Sequence, residues 1–472
     1  MKKELGVDKY GTQRVMRKRD YLADFSGSIG MAMMMAIVSQ LTYFYTDKVG
    51  LSVAGVGVIL MIVKIVDAFT DVIAGHFIDH SKGGNMKYYK WILWMSIPAG
   101  AIMILVFTVP IQAGQAPALA YALFTNFLFT AVIYTLLQTP FSAVMVVRTN
   151  SQSERSSMGI LRAAGTYLTN SVIVMITIPV TNMLGGTQSA WVKYGVVLGL
   201  IMLLLLLICY NNGRKALSNQ KQEDEVNPIP EQEEEAVAFK EAIGMLFRNK
   251  YWLIVLLYNL ISNIYFTISG MSTPYYTKWI FGNDNLIAIS GMATMVAAAL
   301  GFLAAPVIIN KLGIKRTIFL GLICGIVSSA VRCFIPTDFT VYVATFAVGQ
   351  FLQVPQMSLV GVLLAMSVDY NEWKYDKRLV AISSGVVGFG NKVGGGLGSV
   401  LLSVFLTIGA YDATLPEATA SMRYSIYGFT NYLPIVIYVI LLFVFSKYDL
   451  EEKLPAMKKE IAARRAAQKA EE

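Results

Sequence analysis

Apolar residues fill long uninterrupted runs along this chain, and polar residues collect in the gaps between them. A helix of about 20 apolar residues spans the hydrocarbon core of a bilayer, so each run predicts a membrane-crossing helix. Twelve are read at residues 22–46, 51–78, 91–110, 117–146, 163–184, 190–210, 251–279, 286–309, 317–335, 340–368, 379–408 and 423–446. Several are longer than a bilayer requires, which predicts tilt or kinks. Pro140 and Pro355 fall inside runs, where a proline removes a backbone hydrogen bond and predicts a kink.

The spacing of the runs divides the chain. Residues 1–21 form a polar N-terminus, 22–210 a first set of six helices, 211–250 a linker, 251–446 a second set of six, and 447–472 a polar tail. Within the linker, SNQKQEDEVNPIPEQEEE is acidic and proline-bearing, a flexible composition. Phe239, Ile243 and Phe247 then recur every four residues, which predicts a short amphipathic helix on the inner membrane face. The two sets carry traces of a repeat. LLQTP at 136–140 matches FLQVP at 351–355, pairing Gln138 with Gln353, and the loops IDHSKGGNMK and INKLGIKR are both short, basic and glycine-containing. Two six-helix, pseudo-symmetric halves make an all-α membrane protein of the major facilitator type, with sites expected near the midplane.

Charge orients this fold. Of the 39 Lys and Arg, five (Lys48, Lys193, Lys278, Arg332, Arg423) fall on one side, Lys64 and Lys392 lie within runs, and the other 32 share the side of both termini. That asymmetry places both termini in the cytoplasm. The net charge of +9 then reports topology and contact with anionic lipid, with no nucleic-acid partner implied. No cleavable leader is visible before the first run, because the first 20 residues are polar and strongly basic.

Composition agrees and narrows the function. Hydrophobic residues make up 55% and charged residues 15%, far from a soluble domain. The three cysteines have no disulfide or metal-ligand spacing, and the two histidines, His76 and His80, read as headgroup-level residues. No catalytic cluster is evident, so no enzyme and no cofactor are expected. GNKVGGGLG at 390–398 lacks a preceding strand and the spacing of a nucleotide loop. Its glycines at intervals of four instead predict close approach of a second helix.

The second run contains Lys64, Asp67 and Asp71, which share one helix face. Charges at membrane depth are costly and usually face a watery or ion-binding cavity. Two neighbouring carboxylates repel unless a cation or proton sits between them. That is the chemistry of a coupling-ion site. A structural ion pair between Lys64 and one Asp is the plainer reading, and it leaves the second carboxylate without a role. A transporter explains these charges better than a membrane sensor or scaffold, and a facilitator of another small polar solute is the remaining alternative.

Five stretches resemble the glycoside–pentoside–hexuronide:cation symporters, typified by the melibiose carrier: YFYTDKVGLSVAGVG (43–57), IVDAFTDVIAG (65–75), KYYKWIL (87–93), YTLLQTPF (134–141) and VDYNEWKYDKRLVAIS (368–383). The resemblance implies a symporter that couples Na⁺ or H⁺ to glycoside uptake in a bacterial plasma membrane, acting as a monomer. It assigns Asp67, Asp71 and Thr135 to the cation, as the Na⁺ ligands if sodium is coupled. It points to Tyr134, Arg162 and Lys392 as lining the sugar or coupling cavity. This chain departs from the melibiose pattern at Met31, Gln138, Ser142 and Met357, where that carrier has two acids and two tryptophans. The sugar clamp is therefore remodelled, and Asp24 is the candidate substitute acid, although a helix N-terminal charge would also explain it.

The residues themselves support these roles to different degrees. Gln138 can donate and accept, which fits a neutral polyol or interhelix glue. Arg162 offers several donors to sugar hydroxyls, to a carboxylate or to a headgroup. Lys392 reads as a counter-charge that couples to Asp67 or Asp71, with snorkelling as the alternative. Tyr43, Phe44 and Tyr45 read as an outer aromatic belt or a sugar-stacking surface.

Overall fold

The computed structural model describes residues 6–7, 13–79, 81–149, 151–220, 239–377 and 379–471. The acidic stretch of the linker, His80 and the side chains of Asp71 and His76 lie outside the described residues. Among those described, helices carry nearly all of the structure, and the one β-bridge joins Val7 to Gln13. The chain divides into two compact units, Met1–Glu231 and Gln232–Glu472, so the boundary falls in the expected linker.

The first unit contains α1 (Lys18–Tyr43), α2 (Val53–Asp79), α3 (Met86–Leu105), α4 (Gln115–Phe127), α5 (Thr135–Arg148), α6 (Gln152–Met183) and α7 (Gln188–Gln220). The second contains α8 (Phe239–Phe247), α9 (Lys250–Trp279), α10 (Ile287–Phe334), α11 (Phe339–Ser358), α12 (Val360–Tyr375), α13 (Val380–Ile408), α14 (Ala420–Tyr427), α15 (Leu433–Ser446) and α16 (Leu450–Glu471). Ten continuous helices among the described residues are long and apolar enough to cross a membrane. One of these turns at Gly313, whose φ of 77° and ψ of 175° interrupt α10, and so holds two crossings. Helix α2 is equally long and, apart from Lys64, Asp67 and Asp71, equally apolar in sequence. With it, the twelve expected crossings are accounted for.

Local chemistry explains the helix ends. Ser151 accepts the Glu154 N–H at the start of α6, and Asn249 accepts those of Tyr251 and Trp252 at the start of α9. The two glycine loops predicted as counterparts both turn through positive φ, at Gly83 and Gly84 in the first unit and Gly313 in the second. The break expected at Pro355 comes four residues later, at Leu359 between α11 and α12. Pro140 sits inside α5 without ending it. The interruption of that crossing comes earlier, as a π-helical segment at Leu128–Tyr134.

Lipid tails are as apolar as leucine, so helices associate here through close packing and hydrogen bonds. In the first unit α1 lies against α6 and α7, and α3 lies against α7. A Cβ at Gly199 would meet the Gly100 carbonyl oxygen at 2.8 Å, so glycine sets the α3–α7 spacing. In the second unit the core gathers Tyr251, Tyr258, Leu322, Leu363, Tyr438 and Phe445.

One expectation is corrected. Tyr43, Phe44 and Tyr45 form neither an interfacial belt nor an open stacking surface, because all three are fully buried. A π-helical turn at Phe44–Lys48 follows α1, and Phe44 packs 5.0 Å from the Phe107 ring and 5.1 Å from the Trp191 ring. Helix α8 forms as expected, with Ala242 and Leu246 packed with Trp252, Leu379 and Val387 and with Phe247 of the expected apolar stripe left exposed.

Candidate ion and substrate sites

The ion-site expectation begins on α2. Asp67 is 5% exposed, buried at mid-helix, with half-buried Lys64 one turn before it. Its partner comes from the neighbouring crossing. Thr135 is buried at the first position of α5, and its Oγ1 donates to Asp67 Oδ1 at 3.3 Å. The same hydroxyl lies 3.3 Å from the Thr130 carbonyl oxygen, five residues back, inside the π-helical segment. Such segments shift the hydrogen-bond register by one residue and often mark functional sites. The arrangement therefore brings a carboxylate, a hydroxyl and a backbone carbonyl together, all oxygen ligands of the kind hard cations take. Asp71 is one turn further along α2, and the structure leaves its side chain undescribed. Among the described residues no group of three His, Cys, Asp or Glu side chains could hold a metal ion.

The same crossing, from the end of the π-helical segment into α5, also carries the sugar-side candidates. Tyr134, Gln138 and Ser142 recur at intervals of four and so share one stripe, none of them buried. Gln138 Nε2 donates to Ser142 Oγ at 3.3 Å. Met31 is 4% exposed and offers no polar atom.

Asp24 and Arg162, expected separately, are brought together. Arg162 Nε donates to Asp24 Oδ2 at 2.7 Å and Nη2 donates to Oδ1 at 2.5 Å. Its Nη1 donates to the Phe141 carbonyl oxygen at 2.8 Å, and the guanidinium carbon stacks 3.8 Å from the Phe141 ring centre. One turn before Asp24, buried Asp20 pairs with buried Arg148 at 3.3 Å. Both pairs tie α1 to later helices near its N-terminal end. A small cavity beside them is lined by Asp20, Asp24, Tyr89, Arg148 and Cys209. Nothing in the sequence pattern joined these residues, because the partners of the Asp24 pair are 138 positions apart.

Lys392 is half-buried on α13 of the second unit. The glycines around it behave as their spacing predicts. A Cβ at Gly390 would lie 3.0 Å from Leu256, and one at Gly398 would lie 2.9 Å from the Ile264 carbonyl oxygen, so α9 approaches α13 along this stripe.

Two compact helical units, twelve crossings and charges buried at membrane depth define a transporter of the major facilitator fold. The fold is shared with a bacterial homologue of the human lysosomal transporter Spinster, at a TM-score of 0.65 and 10% identity over 94% of this chain and 99% of that one. Residues 25–452 match the family described as MFS/sugar transport protein, and the chain belongs to that family. Its members are transporters and not enzymes. Among its relatives is an isoprimeverose transporter of Lactiplantibacillus pentosus, 26% identical over 85% of this chain and 82% of that protein. Another is the glycoside/cation symporter YagG of Escherichia coli K12, described as putative, which is 23% identical over 92% of both chains.

Proposed function

We propose that this protein is a secondary active symporter that couples entry of Na⁺ or H⁺ to uptake of a neutral glycoside. The observation that carries the reading is the buried Asp67 carboxylate, met by the Thr135 hydroxyl beside the π-helical segment of its neighbour. A carboxylate at that depth needs a cation, a proton or a donor to offset desolvation. Asp71 supplies the second charge on the same helix. The names of the relatives, an isoprimeverose transporter and a glycoside/cation symporter, support the substrate class.

Occupancy of the acidic site would bias the equilibrium between states open to either side of the membrane, and differential affinity for those states is what couples ion to sugar. Lys392 is the proposed counter-charge in that coupling. Tyr134 and Gln138 are the proposed sugar contacts of the first unit. The Asp24–Arg162 pair would enter only if the sugar displaces one partner. Both termini lie in the cytoplasm on the distribution of basic residues, and the protein works as a monomer in a bacterial plasma membrane.

Uptake into proteoliposomes tests the reading. Labelled isoprimeverose, other neutral disaccharides, pentosides, hexuronides and melibiose are supplied with an inward Na⁺ gradient, an inward proton gradient or neither. Gradient-driven accumulation of a neutral glycoside is expected, with weak or no melibiose uptake because Met31 and Gln138 replace the acids of the melibiose carrier. Accumulation of no sugar under either gradient would overturn the proposal, and strong melibiose uptake would overturn its substrate assignment.

A further inference from the structure

Asn259, Asn263 and Thr267 recur every four residues on α9 and share one stripe at its centre. Asn391 stands opposite them, near the middle of α13. Glycine packing sets this meeting. A Cβ at Gly394 would overlap the Leu260 carbonyl oxygen and lie 3.0 Å from Asn263 Cβ, so a larger residue there would push the helices apart. At this spacing the amides join. Asn259 Nδ2 donates to Asn391 Oδ1, and Asn263 Nδ2 donates to the same oxygen at 3.2 Å and to the Asn259 carbonyl oxygen at 2.8 Å.

Burial is graded across the cluster. Asn259 is buried, Asn263 half-buried and Asn391 exposed. The outermost groups are also the unspent ones. Asn391 Nδ2 and Asn263 Oδ1 have no partner among the described residues. Elsewhere these two helices expose large apolar side chains, such as Phe266, Leu397, Val404 and Ile408, as lipid contact demands. Amide groups turned to hydrocarbon would each cost several kcal/mol. Interhelix glue would spend its polar atoms inside the contact. Here one donor group and one acceptor are left over on neighbouring side chains near the middle of two crossing helices, where a pair of sugar hydroxyls could accept from the first and donate to the second.

We propose that Asn263 and Asn391, braced by Asn259, form a hydroxyl-recognition subsite of the second unit for a neutral sugar ring of the transported glycoside. The subsite rests on the symporter reading above and adds to it a place and a chemistry that neither the family motifs nor Lys392 supply.

The test uses the full-length protein in proteoliposomes, with Cys209, Cys324 and Cys333 replaced by serine and with isoprimeverose as the first probe. Wild-type uptake is measured first, and if no glycoside is carried, the symporter reading falls and the subsite with it. Asn391→Cys is then exposed to a charged methanethiosulfonate, which reacts only with a thiol in contact with water. Reaction slowed several-fold by the transported sugar is expected. Asn263→Ala should raise the sugar KM about tenfold, the effect of one lost hydrogen bond that leaves its partner unpaired, with the maximal rate and cation activation retained. An Asn391→Cys variant that does not react, or whose reaction rate is indifferent to a sugar that the wild type carries, would overturn the subsite alone. So would an Asn263→Ala variant that loses yield and maximal rate at unchanged KM, the signature of packing only.

Discussion

Arg162 grips Asp24 with two parallel hydrogen bonds, of 2.7 and 2.5 Å, between helices α6 and α1. Both side chains are under 10% exposed, at 9% and 7%. A bidentate guanidinium–carboxylate pair fixes orientation as well as neutralising charge. The Phe141 carbonyl and ring complete the guanidinium's surroundings, so the arginine is held on three sides.

Breaking this pair should destabilise the first unit. Removing one partner of a buried ion pair leaves an uncompensated charge and costs about 3–5 kcal/mol. Asp24→Asn is therefore expected to lower the melting temperature in detergent by several degrees. Adding Arg162→Gln should recover part of the loss, because the stranded charge is then gone. A single variant that melts with the wild type would show that the pair does not contribute to stability.

The ion-site proposal separates coupling from movement. Asp67→Asn removes a charge and should abolish accumulation against a gradient, while sugar exchange at equal concentrations persists in part. Thr135→Val keeps the shape but removes the hydroxyl, and should weaken apparent cation affinity about ten- to hundredfold, the scale of one hydrogen bond to a charged group. Thr135→Ser should stay near wild type. Uptake rates across a cation titration provide the measurement, and an Asp67→Asn protein that still concentrates sugar would remove that residue from the ion site.

How far the sequence reaches can be judged from particular residues. Helix positions, the two halves and the glycine contact of α13 follow from hydropathy and spacing alone, since those patterns are themselves the physical cause of the structure. The glycine turns at Gly83, Gly84 and Gly313 were visible for the same reason. The π-helical segment before Thr135 was not, because a one-residue shift in backbone hydrogen bonding leaves no mark on apolar composition. Nor was the Asp24–Arg162 pair, whose partners meet only through tertiary packing. The burial of Phe44 against Phe107 and Trp191 was missed because aromatic residues at a helix end are equally suited to an interfacial belt and to a core.

The α9–α13 contact makes a graded prediction from glycine alone. Gly394→Val places a side chain against the Leu260 carbonyl and Asn263, and should abolish transport by forcing the two helices apart. Gly388→Ala, on the same helix, meets nothing within 4 Å and should transport normally. Comparing uptake per unit of inserted protein distinguishes a packing requirement from general sensitivity of α13. Equal tolerance at both positions would show that close approach is unnecessary.

Glu451 gives the last prediction, at the Gly313 end of the second unit. Its Oε1 accepts the Ile314 N–H at 2.8 Å and its Oε2 accepts the Lys315 N–H at 2.9 Å. These are N–H groups of the helical turn that restarts after Gly313, and the first turn of a helix has no internal acceptors for its donors. A carboxylate there also meets the positive end of the helix dipole. Helix α16 thus ties its own first turn to the bend in α10, and Asp449, just before it, accepts from the Tyr251 hydroxyl at 2.6 Å at the start of α9. Glu451→Ala should strip both caps and destabilise the bend by about 1–2 kcal/mol, in the range of a lost helix cap. Glu451→Gln keeps one acceptor oxygen and should fall between the two. Amide hydrogen exchange at residues 312–317 reads the effect directly, with faster exchange expected in the order alanine, glutamine, wild type. Unchanged exchange in Glu451→Ala would mean that the bend is held by Gly313 and its neighbours without help from α16.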